Sequence, residues 1–240
     1  MVLRGMLERA VRWNLLRANP ASLVDLPRVP RREMTILSEE ESRRLLDATA
    51  DSRIAAFFVL ALTTGGRLGE ISGMQWNRID LDKGEMRITH TLQETPGGFA
   101  LSETKTPSSV RTNKLPKVAI AALKRHQAQQ SAEALKLGSA WSNELGLVFT
   151  RPDGSPISRK FILRRELRPA ARTAGLSDAI RTHDLRHTSI SLLLNQGLPI
   201  PLVSSYVGHS DPSVTLRIYS HVLPATQHQI ADAAQALFGA

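Results

Sequence analysis

The chain has 240 residues, room for one or two domains, and its 42% apolar content supports a core of ordinary size. Lysine and arginine outnumber aspartate and glutamate by 31 to 22, a formal charge of +9 that favours a polyanionic partner such as nucleic acid. There is no cysteine, which excludes disulfides, thiolate nucleophiles and cysteine-based zinc sites.

Residues 5–17 have helical periodicity, with Leu7, Val11, Leu15 and Leu16 near one side, and Asn19-Pro20 ends that helix. Three prolines (Pro20, Pro27, Pro30) and the cations Arg28, Arg31 and Arg32 then mark an interdomain linker. Ser38 with Glu41 predicts a capping box opening a helix with Leu45 and Leu46 on its apolar face. Residues 54–63 are apolar on most sides and predict a buried helix, broken by Gly65-Gly66 and followed by a short helix over 67–74. The apolar run within it, residues 55–62, is far too short to span a bilayer. No apolar signal core precedes a cleavage site, so a cytoplasmic protein without a membrane partner is expected.

Strands are predicted at 78–82 and 85–92, flanking a Lys83-Gly84 turn, and at 109–115 beyond a glycine-rich loop. A helix over 118–137 and a small hairpin over 147–157 around Asp153-Gly154 come next. Helices follow at 158–174, 183–195, 199–207, 213–220 and 225–238. The expected class is α+β: a mostly helical domain with one small antiparallel sheet.

Four segments place polar groups where apolar periodicity has no use for them. They are Thr63-Thr64-Gly65-Gly66-Arg67-Leu68-Gly69-Glu70; Thr104-Lys105-Thr106 with Ser109 and Arg111; His183-Asp184-Leu185-Arg186-His187; and Val207-Gly208-His209 with Tyr219 ten residues on. In this order they resemble the motifs of the tyrosine recombinases, over residues 34–238. By that resemblance Arg67 and Arg186 are the two catalytic arginines, and Glu70 supports Arg67. Lys105 is the general acid on the hairpin, His183 pairs with Arg186, His209 is the second histidine, and Tyr219 is the nucleophile.

The resemblance implies attack by Tyr219 on a phosphorus of double-stranded DNA, leaving a 3′-phosphotyrosyl link that is later rejoined. Two guanidiniums suit the charge that grows on the nonbridging oxygens. The phenol, with an ordinary pKa of about 10, needs its proton removed or its anion stabilised. Neither metal nor cofactor is implied. The family also implies a homotetramer on DNA, joined through the C-terminal helix. Residues 1–33 resemble the last helix and linker of a core-binding domain, and 34–240 the catalytic domain.

Each position has a plainer reading. Arg67 alone resembles a solvated surface arginine, and Glu70 a first-turn acid favoured by the helix dipole. Lys114 competes with Lys105. Tyr206, among Leu202, Val203 and Val207, reads as packing, and His187 as a packing or phosphate-contacting flank of the pair. His183 and His187 are also spaced as in a zinc-binding helix, but Asp184 is short for the required glutamate and Arg186 repels a cation. Lys160, Arg164, Arg168 and Arg172 recur every four residues, as in a solvated basic face or a row of DNA-phosphate contacts. A shortened DNA-binding module that regulates a full-length recombinase is the alternative to an enzyme.

Overall fold

A computed structural model describes residues 2–25, 34–104, 109–209, 211–219 and 235–236, with the backbone alone at 214, 217 and 218. It divides into two compact units, Met1–Glu33 and Met34–Ala240. In the first, helix α1 (Val2–Arg12) is followed by a 3₁₀ turn at Pro20–Leu23. Asn19 ties the two together: its Nδ2 donates to the Arg4 carbonyl (3.0 Å) and to Glu8 (2.9 Å), and its Oδ1 caps Ala21 N. The linker cations and Pro27 and Pro30 lie outside the described residues.

The second unit is built around α3 (Ala55–Thr64), whose sequence offers no polar face. Phe57, Phe58 and Leu60 are fully buried, and Phe57 meets both Phe58 and Phe149 edge to face. Burial of each such ring is worth about 1.5–3 kcal/mol. Helix α3 packs on α5 (Lys117–Leu137), α8 (Thr182–Asn195) and α2 (Glu39–Ala48). The predicted capping box of α2 forms, with Ser38 Oγ accepting from Glu41 N (3.1 Å) and Glu41 accepting from Ser38 N (2.8 Å). A short α4 (Leu68–Ser72) follows α3.

The strands lie in an antiparallel three-stranded sheet, β1 (Ile79–Asp80), β2 (Glu85–Ile88) and β5 (Arg111–Lys114), and in a hairpin of β3 (His90–Thr95) and β4 (Gly98–Glu103). The hairpin occupies much of what the sequence presents as a glycine-rich loop. Its outer half is exposed on both faces, so pairing rather than burial holds it, and no alternation marks it. The expected hairpin over 147–157 reduces to a single bridge between Thr150 and Pro156.

Beyond α5, Ser158 caps a helical run composed of α6 (Arg159–Phe161), a π-helical stretch (Ile162–Leu167) and α7 (Arg168–Thr173). The π stretch shifts the register within the predicted row of cations. A second, smaller core forms where α8 meets α9 (Ile200–Val207) and α10 (Pro212–Tyr219). It consists of Ile190, Leu194, Val203, Val207 and the ring of Tyr219. Among the described residues no helix is long and apolar enough to cross a membrane. Most of the predicted C-terminal helix, 225–238, falls outside them; residues 235–236 are helical.

Candidate active site

Two left-handed glycines bring the site together. Gly65 (φ +58°) ends α3 and Gly208 (φ +73°) ends α9. A Cβ on Gly65 would stand 2.9 Å from Val207 Cγ1, and one on Gly208 2.5 Å from Arg111 Nη1. Only glycine accepts both the dihedral and the crowding at these positions.

Both arginines reach the C-terminal end of α9. Arg67, at the N-terminus of α4, donates through Nη2 to the Gly208 carbonyl (2.9 Å). Arg186, on α8 and 2% exposed, donates through Nη1 to the carbonyls of Gly65 (2.6 Å) and Val207 (2.8 Å). Its Nη2 is buried without a partner among the described residues. Burial, followed by the charge of Arg67, pulls the Arg186 pKa down to about 9. A guanidinium held this way has a donor left over and an electrostatic deficit that an anion would relieve.

Glu70 is 3% exposed and lies between two guanidiniums, Arg67 Nη1 (2.7 Å) and Arg111 Nη2 (2.9 Å). Burial alone would raise its pKa, but the charge and hydrogen bond of Arg111, together with the bonds from Arg67, hold it below the ordinary carboxylate value. Arg111, 7% exposed in its side chain, also donates to the carbonyls of Tyr206 (2.9 Å) and Ser109 (3.1 Å). It therefore joins β5, α4 and α9. Sequence reading gave Arg111 no role of its own; the signal was an isolated acid, Glu70, in a basic motif that needed more than one partner.

The histidines surround Arg186. His183 is exposed and stacks edge to face on His187, with ring centroids 4.6 Å apart. Nδ1 of His209 lies 2.6 Å from Thr215 Oγ1, which is itself 2.6 Å from Ser204 Oγ. Desolvation lowers all three pKa values, aided by the arginines and neighbouring histidines, to about 4 for His187 and His209. All three are neutral at neutral pH and can act as acceptors or donors without adding charge.

Tyr219 is 1% exposed, and its hydroxyl is hydrogen-bonded to His187 Nδ1. Burial pushes the phenol well above its ordinary pKa, against the pull of Arg186. The structure thus gathers Arg67, Glu70, His183, Arg186, His209 and Tyr219, and adds His187, which sequence reading treated as a flank. Tyr206 is the packing tyrosine, its hydroxyl donating to the Lys114 carbonyl (3.1 Å). Lys105 lies outside the described residues. Among those residues no group of three or more His, Cys, Asp or Glu is placed to hold a metal ion.

Beside Arg67 and His183 runs an open groove of about 770 Å³, lined by Thr91, Gln93 and Phe99 of the hairpin and by Arg159 and Lys160. Of the other predicted contact residues, Arg164 and Arg172 are exposed, whereas Arg168 is half-buried with a buried Nε that has no partner among the described residues.

The family model for the phage integrase family matches residues 35–226. A tyrosine recombinase XerC-like protein of Caldanaerobacter subterraneus subsp. tengcongensis is 33% identical over 217 residues, which span 86% of this chain and 55% of that protein. The ICEBs1 integrase of Bacillus subtilis is 28% identical over 232 residues, 96% of this chain and 62% of that one. The chain therefore spans a little over half the length of these relatives. The solved Tn1549 transposon integrase, in complex with a circular intermediate DNA, matches with a TM-score of 0.74 at 20% identity, over 98% of this chain and 76% of that one. XerA recombinase matches with a TM-score of 0.62 at 20% identity, over 86% and 67%. Those two likenesses establish a shared fold, and the matched residues carry the rest of the argument: the chain belongs to the phage integrase family.

Proposed function

We propose that this chain cleaves and rejoins double-stranded DNA through a covalent 3′-phosphotyrosyl link at Tyr219, without metal or ATP. The observation that carries this reading is the buried Nη2 of Arg186, without a partner among the described residues, beside Arg67, both guanidiniums being anchored on the segment that leads to His209. A phosphodiester presents two nonbridging oxygens to such donors, and the charge on them grows in the transition state. Preorganised donors of this kind are each worth about 10²–10³ in rate. His183 and His209 add hydrogen bonds, and Glu70 orients Arg67. Lys105 protonates the departing 5′-oxygen. The energy of the broken bond stays in the phosphotyrosine, so the reverse attack by a 5′-hydroxyl restores the strand.

In this reading Lys160, Arg164, Arg168 and Arg172 contact DNA phosphates, with Lys160 nearest the reacting centre because it lines the groove shared with Arg67 and His183. Residues 1–33 are the last helix and linker of a core-binding domain, and 34–240 are the catalytic domain. The chain acts in the cytoplasm, as a homotetramer on DNA joined through its C-terminal helix. Relatives named recombinase and integrase, and a fold shared with a DNA-bound integrase, support the reading.

The test is a suicide duplex nicked near the cleavage site, which traps the covalent intermediate. The expected result is a protein–DNA adduct that Tyr219→Phe abolishes. No adduct from the unaltered chain at any protein concentration would overturn the reading in favour of a DNA-binding module.

A further inference from the structure

We propose that His187 is the proton acceptor for Tyr219, its Nδ1 taking the phenolic proton as Oη attacks the phosphorus. The proposal rests on Tyr219 being the nucleophile. Among the described residues, the hydrogen-bond partner of the Tyr219 hydroxyl is His187, rather than His183 or His209. The two rings are tilted by 49° with centroids 5.8 Å apart, and with Nδ1 unprotonated the phenol is the donor of the bond between them. The other histidines are engaged elsewhere: His209 Nδ1 meets Thr215, and His183 lies edge-on to His187 at the groove beside Arg67. His187 follows Arg186 in α8, so a single turn of that helix carries both the phosphate donor and the proton acceptor, directed about 100° apart around its axis.

The groups acting on His187 define when it can work. His183, Arg186 and Arg181 disfavour its protonation and Asp184 favours it, while burial is the largest influence and keeps it neutral. In the free protein a neutral imidazole faces a phenol whose proton burial also holds in place. A phosphodiester between Arg67 and Arg186 changes both conditions. Its negative charge favours an imidazolium within about 4–6 Å, where an opposite charge shifts a pKa by about 1–3 units.

Proton transfer therefore belongs to the substrate-loaded site. The Oη–H bond breaks with the proton going to Nδ1, the Oη–P bond forms, and the P–O5′ bond breaks with its oxygen taking a proton from the general acid. Rejoining returns the proton from Nδ1 to the departing phenolate.

The test uses the nicked duplex in two forms, one with the normal scissile oxygen and one with a 5′-bridging sulfur, which leaves without an acid. His187→Ala removes the acceptor. His187→Asn keeps an acceptor oxygen near the place of Nδ1 but takes no proton. Both variants are expected to form adduct about 10²–10⁴-fold more slowly on either substrate, with rates that climb as pH rises and the phenol ionises unaided. Lys105→Ala, by contrast, is expected to recover on the sulfur substrate.

A His187→Asn rate within about threefold of the unaltered chain would overturn the proposal, as would rescue of that variant by sulfur. Absence of any adduct from the unaltered chain is a separate failure, that of the nucleophile assignment. Histidine ¹⁵N NMR of the free protein judges the hydrogen bond without turnover. It should find His187 protonated on Nε2 at neutral pH, with an Nδ1 signal that moves in Tyr219→Phe; a proton resident on Nδ1 would overturn the proposal whatever the activity.

Discussion

Replacing Arg111 by methionine isolates the electrostatic support of the site. Methionine fills much of the arginine's volume but leaves the 3%-exposed Glu70 with Arg67 as its one cation among the described residues, and that arginine is 40% exposed in its side chain. Removing one partner of a buried ion pair costs about 3–5 kcal/mol. Because Arg67 remains, and Asn113 still donates to the Tyr206 carbonyl, we expect the lower end, about 3 kcal/mol. That is a large share of the stability of about 5–15 kcal/mol typical of a domain.

The pH dependence carries the stronger test. In the native chain the folded pKa of Glu70 lies below its unfolded value, so its contribution is present above the ordinary carboxylate pKa and lost as pH falls through the folded one. Without Arg111, burial dominates and the folded pKa rises above the unfolded value. The contribution then reverses: it is present at low pH and lost as pH rises. Urea unfolding of both proteins at about pH 5 and pH 7.5 should show the variant's deficit shrinking at the lower pH, by up to about 1.4 kcal/mol per pH unit below the raised pKa. Arg111→Met combined with Glu70→Gln should be less damaging than Arg111→Met alone, because no charge is left stranded. A deficit equal at both pH values, with strict additivity in the double variant, would refute the reasoning.

Three further outcomes follow from the same geometry. Gly208→Ala should destabilise the chain by about 1–3 kcal/mol in urea melts, since it places a Cβ at φ +73° and 2.5 Å from Arg111. Arg186→Lys keeps the charge but cannot hold both carbonyls and a phosphate at once, so adduct formation in the nicked-duplex assay should fall by at least about 10²-fold. The depressed pKa values of His183, His187 and His209 contribute stability above the ordinary histidine pKa that is lost as pH falls, for His187 and His209 as it nears about 4. Melting temperatures should therefore drop as pH falls from about 6.5 toward 4, and less steeply with inorganic phosphate present.

Much of this fold is written in local pattern. A ten-residue segment apolar on most sides reads as a buried helix, and Ser38 with Glu41 marks the start of α2 because the cap needs nothing distant. The hairpin of β3 and β4 escaped because Gln93, Glu94 and Thr95 bury no face, so its stability comes from pairing that a linear reading does not see. The π stretch escaped because a one-residue change in helical register leaves composition untouched. At the site, Arg67, Arg186 and Tyr219 were legible from ordered short motifs. Arg111 and His187 were not, because their partners, Glu70 and Tyr219, lie 41 and 32 positions away along the chain.

The carbonyls of Val207 and Gly208 are adjacent, and each receives one of the two guanidiniums. Both donors that would grip a substrate thus share one brace at the end of α9, and each has a second anchor elsewhere, Glu70 for Arg67 and the Gly65 carbonyl for Arg186. A shift of that brace loosens both arms at once, so the site behaves as a two-fingered clasp with a shared rest. Evolution or an engineer could tune the whole grip by repacking Ile190, Leu194 or Val203 beneath α9, and the ring of Tyr219, which shares that core, would respond with it.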